Sequence, residues 1–226
     1  MTYVMSDIHG MYEKYLKMLD VIKFSDDDVL YILGDIIDRG PEPIEIILDI
    51  MTRPNIVCLK GNHEHMALDC MRYLTGNNIL TFSIMDMMYN WDSNSSQTTK
   101  AGFEKLEIAE KKAVTDFISG FAVYKEIIVN NRDYILVHAG LGNFRPDKKF
   151  NEYTEHELLW TRPDFEKMYF PDKYLVCGHT LTRKIPSNPF PDRIFRWKNN
   201  IAIDCGAVYG GKLACMCLET YEEFYV

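Results

Sequence analysis

The chain has 226 residues, 47% of them hydrophobic, which is enough to bury one substantial core and favours one domain over an array of small modules. A formal net charge of −8 and a pI near 5.3 argue against a general nucleic-acid binder, which needs surplus Lys and Arg to displace phosphate counterions, though a phosphorylated ligand held by a few local cations stays compatible. No stretch approaches the roughly 18 apolar residues of a membrane span, no basic segment leads into an apolar run at the start, and the six cysteines sit mostly in apolar runs without a Cys-x-x-Cys pair, so the expectation is a cytoplasmic protein with reduced core thiols and no membrane contact.

The first third alternates short β-rich runs with longer amphipathic ones. Residues 2–6 (TYVMS) read as a strand, 11–22 as a helix by apolar spacing, and 28–34 (DVLYILG) as a near-continuous apolar strand buried on both faces. Residues 42–51 read as the next helix, with Pro41 and Pro43 confined to its start, 55–61 as a third strand and 63–74 as a helix. From 75 to about 100 the pattern breaks into a polar, turn-rich connection (NWDSNSSQTT), and the Met-rich stretch before it (FSIMDMMYNW) is expected to pack as core or cap. A single helix is expected over 100–121. Strands at 123–131 and 133–140 should meet as a hairpin at Asn130-Asn131, and 173–180, 200–208, 212–220 and 222–226 supply further strands.

Polar clusters directly follow apolar strands five times: Asp7 and His9, then Asp35, Asp38 and Arg39, then Asn62, His63 and Glu64, then His138, then His179. In open α/β folds functional sites gather beyond the carboxyl ends of strands, and glycines flank each cluster so that the backbone can turn sharply. Residues i and i+2 of an extended segment share a side, so Asp7 and His9 could aim at one point, an arrangement that suits a metal. His65 and His156 read as surface histidines, and Glu64 as a charge on a helix N-terminal dipole.

The ordered set SDIHG, GDIIDRG, GNHE, VHAGL and GHT resembles the calcineurin-like metallophosphoesterases, and DRG is similar to their phosphoprotein phosphatase branch, the small bacterial and phage-type serine/threonine protein phosphatases. The motifs run from Met5 to Thr180, and IDCGAVYGGKL is similar to the branch's closing segment. The resemblance implies an α/β, four-layer αββα sandwich of two mixed β-sheets flanked by helices. One domain would span residues 1–226, with a loop-plus-helix insertion at about 75–120 near the substrate site.

It also implies a centre of two divalent metal ions, manganese foremost, then iron or zinc; imidazole and carboxylate donors together suit these metals more than calcium. Asp35 would bridge, Asp7 and His9 would complete one metal's protein ligands, and Asn62, His138 and His179 the other's. Arg39 and Arg162 would bind phosphate, and His63 would act as general acid, held by Asp38. The implied reaction is phosphomonoester hydrolysis by hydroxide held between the metals, on a phosphorylated protein or a small phosphoester. A diadenosine-polyphosphate hydrolase is the alternative, with Tyr89, Trp91 and Tyr209 as candidate adenine clamps. A non-catalytic binding module fits less well, because the expected ligand and acid residues are all present. The chain departs from its relatives at YNWDSNSSQTT, which lacks their Gly-Gly element.

Overall fold

The computed structural model describes residues 1–76 and 79–226, so residues 77 and 78 of the expected irregular connection lie outside the described residues. Strand β1 (Thr2–Met5) opens a run through α1 (Tyr12–Val21), β2 (Val29–Ile32), α2 (Pro43–Met51), β3 (Ile56–Cys58) and α3 (Asn62–Leu74). Two crossover helices force β1, β2 and β3 to pair in parallel, with Tyr3 beside Leu30 and Leu30 beside Ile56. The chain then passes through α4 (Phe82–Ser93), α5 (Gln97–Glu104) and α6 (Ile108–Ser119) before the second sheet. That sheet comprises β4 (Tyr124–Val129), β5 (Arg132–Val137), β6 (Lys173–Cys177), β7 (Phe195–Trp197) and β8 (Asn200–Ala202), in the order β4-β5-β6-β8-β7. The last two strands, β9 (Ala214–Cys217) and β10 (Glu223–Tyr225), return antiparallel to the first sheet, giving β10-β9-β1-β2-β3.

Both sheets are mixed, and strand periodicity sorts their side chains into layers. Val4 faces the second sheet and packs with Leu136, Val176 and Ile201, while its neighbours Tyr3 and Met5 face α1 and α2 through Met18 and Ile46. The outer face of the second sheet is covered more thinly, by α7 (Glu155–Leu159) and by Phe165 and Tyr169 from the following loop. The expected α/β sandwich of two mixed sheets flanked by helices is therefore the observed one. All six cysteines are buried and free. No described helix is long and apolar enough to cross a membrane.

Three expectations need correction between residues 75 and 121. The connection read as irregular contains α4, started by the Thr81 hydroxyl accepting from Ile84 N and ended by Ser93 and Asn94 side chains donating to Tyr89 and Asn90 carbonyls. The Met-rich stretch is not core: Phe82 is 90% exposed and Tyr89 75%, with Met85 half exposed, and of these residues Trp91 alone is fully buried. The single helix expected over 100–121 is two, because Glu107 adopts an extended conformation and restarts the chain as a capping box with Glu110. Farther on, β7 was missed, a three-residue strand pairing antiparallel with β8. The hairpin formed as expected, Asn130 and Asn131 both taking the left-handed conformation of a type I′ turn.

Candidate active site

The loops after β1 and β2 are zipped backbone to backbone: Asp7 N donates to Gly34 O, His9 N to Asp35 O, and Gly40 N to His9 O at 3.0 Å. A Cβ on Gly40 would lie 2.1 Å from that His9 oxygen, so this approach needs glycine. Asp7, His9, Asp35, Asp38, Arg39 and His179 all have φ between 46° and 70°. Non-glycine residues rarely hold this conformation, and their gathering at one place marks strain paid for by the surrounding bonds. Asp7 and His9 thus converge through two left-handed turns beyond the end of β1, not through continued strand geometry.

Asp35 sits at the centre, almost fully buried. Its Oδ2 lies 3.4 Å from His9 Nε2 and 4.0 Å from His63 Nε2, its Oδ1 3.4 Å from His138 Nε2, and Oδ1 also accepts from His63 N. Two groups of ligand atoms, each within 4.8 Å of one another, result: His9, Asp35 and His63, and Asp35, His138 and His179. Asp35 is common to both. Asn62 joins the second through Oδ1, 2.9 Å from His138 Nε2. Asp7 is in neither group; its Oδ2 accepts from Ser6 Oγ and from His179 N.

The electrostatics fit cations. Burial, and then the neighbouring Asp204, push the Asp7 carboxyl well above its ordinary range; burial, then Asp7 and Glu64, do the same to Asp35. Burial and neighbouring imidazoles hold His9 and His138 well below theirs, and burial with Arg162 lowers His179 to about 4. Neutral His138 donates Nδ1–H to Leu33 O, leaving Nε2 as an acceptor aimed at two further acceptors, Asn62 Oδ1 and Asp35 Oδ1. His9 likewise donates Nδ1–H to Ile37 O, but its Nε2 accepts from the Arg39 guanidinium. The acceptors that converge at His138, Asn62 and Asp35 are of the type a divalent ion takes.

Asp38 and His63 form a fully buried pair, His63 Nδ1 donating to Asp38 Oδ2 at 2.7 Å, while His63 Nε2 is buried without a hydrogen-bond partner among the described residues. Sequence reasoning missed what surrounds them. Trp91 Nε1 donates to Asp38 Oδ2 at 2.8 Å and Thr99 Oγ1 to Oδ1 at 2.6 Å, so Trp91 cannot serve as an exposed base clamp. Glu64 stands at the N-terminus of α3 as expected, but it is fully buried, and its carboxylate accepts from the amides of Asp35, Ile36, Ile37 and Gly61, tying the segments after β2 and β3 together. His65 and His156 are exposed, as expected.

A cavity of about 400 Å³ opens beside Asp7, Asp35 and His179. Arg39 lines it with its guanidinium over the Tyr209 ring, and exposed Arg162 lines it too, reaching His179 O at 3.4 Å. Arg183 and Lys184 add two cations not anticipated from the sequence, Arg183 being paired with Asp192. Asp204 also lines the cavity, buried, with its carboxyl pushed up to about 6 by burial. It follows an apolar strand as the other clusters do, the signal that could have revealed it.

A family model for calcineurin-like phosphoesterases matches residues 2–199. The chain belongs to that family. Among curated relatives of this phosphoesterase, serine/threonine-protein phosphatase 2 of Escherichia coli K12 is 28% identical over 94% of this chain and 90% of its own length. The asymmetrical bis(5'-nucleosyl)-tetraphosphatase PrpE of Bacillus subtilis 168 is 25% identical over 93% and 87%. Solved structures share the fold: one described as a putative diadenosine tetraphosphatase covers all of this chain and 92% of its own at a TM-score of 0.69 and 17% identity. A serine/threonine phosphatase from Saccharomyces cerevisiae aligns over all of this chain and 79% of its own, with a TM-score of 0.59 and the same identity.

Proposed function

We propose that this phosphoesterase hydrolyses phosphomonoesters of serine and threonine in proteins, using two divalent cations, manganese foremost. Asp35 would be shared between them, Asp7 and His9 would complete one ligand set, and Asn62, His138 and His179 the other. Bound there, the cations would supply positive charge for the phosphoryl oxygens and a water acidified toward neutral pH. Arg39 contributes a fork for two phosphate oxygens, and Arg162 a second cation at the rim. Asp38 holds Nδ1–H of His63, so Nε2 is the atom that gives a proton to the departing oxygen.

The observation that carries this reading is His63 Nε2, which has no hydrogen-bond partner among the described residues, backed by Asp38 and 4.0 Å from Asp35. An alkoxide leaving from serine needs a positioned proton, and a module that only bound ligand would have no use for one. Geometrically His63 also lies within ligand distance of His9 and Asp35, and a carboxylate on Nδ1 suits either role; the acid role is the one proposed. Buried free thiols support a reducing compartment such as the cytoplasm.

A specific observation favours a second reading, diadenosine-polyphosphate hydrolysis: Arg162, Arg183, Lys184 and half-exposed Tyr209 extend the cavity lining beyond what one phosphate needs. The test is turnover of a phosphoserine peptide against diadenosine tetraphosphate by chelator-stripped protein reloaded with manganese. The proposal expects no activity before reloading and preference for the peptide after it. Preference for the dinucleotide would replace the substrate; full activity in verified metal-free protein would overturn the metal assignment.

A further inference from the structure

Asp38 lies in a turn of left-handed conformation, and among the described residues three side-chain donors hold its buried carboxylate. One is His63. The other two come from helices that follow it by 53 and 61 residues: Trp91 Nε1 on Oδ2 and Thr99 Oγ1 on Oδ1. Thr99 Oγ1 also accepts from Asp38 N at 2.9 Å, so one hydroxyl links the backbone and the carboxylate of the same residue and fixes its rotamer. The α4–α5 turn grips the next residue as well, Arg39 N donating to Ser95 O at 3.0 Å. Asp92 locks the two helices together by accepting from Ser96 Oγ and Lys100 Nζ, and Lys100 sits 5.5 Å from the Trp91 ring centroid.

We infer that Trp91 and Thr99 are positioning residues for the Asp38–His63 pair, and that α4 and α5 thereby determine how well the site cleaves alkyl phosphate esters relative to aryl ones. The inference rests on the reading of His63 as general acid. Asp38 holds the His63 ring by its Nδ1–H, so a carboxylate free to rotate would let the ring turn and swing Nε2 away from the departing oxygen. An alkoxide needs that proton; p-nitrophenolate leaves readily without one. Neither Trp91 nor Thr99 would touch substrate or metal, so their removal should alter discrimination between leaving groups and spare metal binding.

The experiment compares Trp91→Phe, Thr99→Val, Thr99→Ser and His63→Asn in manganese-loaded protein, reading kcat/KM for a phosphoserine peptide and for p-nitrophenyl phosphate, metal content and Tm. Trp91→Phe and Thr99→Val should each slow the peptide by about 10–100-fold, the size of effect typical for partners that orient a functional ligand, and slow the aryl ester several-fold less. Thr99→Ser keeps the hydroxyl and should retain both rates. If Trp91→Phe fails to fold, the Val and Ser pair at Thr99 decides. Equal slowing of both esters, or none, alongside discrimination by His63→Asn, would overturn this inference alone. Absence of discrimination in His63→Asn with metals retained would overturn the acid reading and the inference together.

Discussion

Seven of the candidate residues, Asp7, His9, Asp35, Asp38, Arg39, Asn62 and His63, come from the loops after β1 and β2 and from the start of α3 after β3, whereas the second sheet sends His138 and His179 from beyond β5 and β6. The first set is held by left-handed turns bonded to each other and gathered around buried Glu64. The second set docks onto the first: His138 Nδ1 donates to Leu33 O, and His179 N to Asp7 Oδ2. One half is a strained scaffold, the other a pair of imidazoles oriented by it. The halves should therefore respond unequally to substitution, with damage to the first spreading and damage to the second staying local.

The sharpest break is Asp35→Asn, which removes a charge from the residue common to both ligand groups. Hydrolysis should fall on the order of 10³-fold or more, corresponding to several kcal/mol of lost charge stabilisation. His138→Ala should reduce the rate less than Asp35→Asn, because it leaves the proposed Asp7, His9 and Asp35 ligand set standing. Steady-state rates at saturating manganese check the order.

Glu64→Gln tests the scaffold itself. It replaces a carboxylate taking four amide bonds by a group with one acceptor oxygen, leaving buried N–H groups unpaired at about 1–3 kcal/mol each. A loss of about 2–4 kcal/mol in denaturant unfolding is expected. A loss under about 0.5 kcal/mol, within the range of ordinary surface substitutions, would show that the turns hold without it.

Much of this division was legible in the sequence. Asp35, His63, His138 and His179 announce themselves because a hydrophilic, metal-competent residue directly after a buried strand has few other reasons to be there. Glu64 stands in the first turn of α3 and accepts from Gly61 N, as its place suggested, but its further amide partners at Asp35 and Ile36 lie 29 and 28 residues back and were not legible. Trp91 and Thr99 were not legible at all, being neutral donors whose only mark is a carboxylate far away in the chain. The helix α4 hid for the opposite reason: its apolar face is largely exposed, and periodicity arguments assume that such a face is buried.

Smaller effects refine the comparison at the cavity. Arg39→Ala, within the first-half loops, should weaken inhibition by inorganic phosphate by about 1.5–3 kcal/mol, the range for bonds to a charged partner. Exposed Arg162→Ala should weaken it less, since solvent screens its charge. Equal effects would place Arg162 as deeply in phosphate binding as Arg39.

The smallest expected effect is on stability in acid. Burial pushes the Asp49 carboxyl in α2 up, but bonds from Arg53 and Tyr15 outweigh it and hold it below its ordinary range. Glu157 in α7 is held at about 2 by Lys148, Thr154 N and Asn143. Both folded-state values lie below the unfolded ones of about 3.9 and 4.3, so their stabilisation is complete above those values and is lost as pH falls, for Glu157 down through about pH 2. Asp49→Asn and Glu157→Gln should each flatten the fall of Tm with decreasing pH below about 4.

The central claim, one carboxylate shared by two metal positions, is tested most directly by counting manganese per chain in the wild type, His138→Ala and Asp35→Asn, by titration with elemental analysis. The account predicts two equivalents in the wild type, one tightly held equivalent in His138→Ala, and both weakened together in Asp35→Asn. Two equivalents at unchanged affinity in Asp35→Asn, or a single equivalent in the wild type, would contradict it.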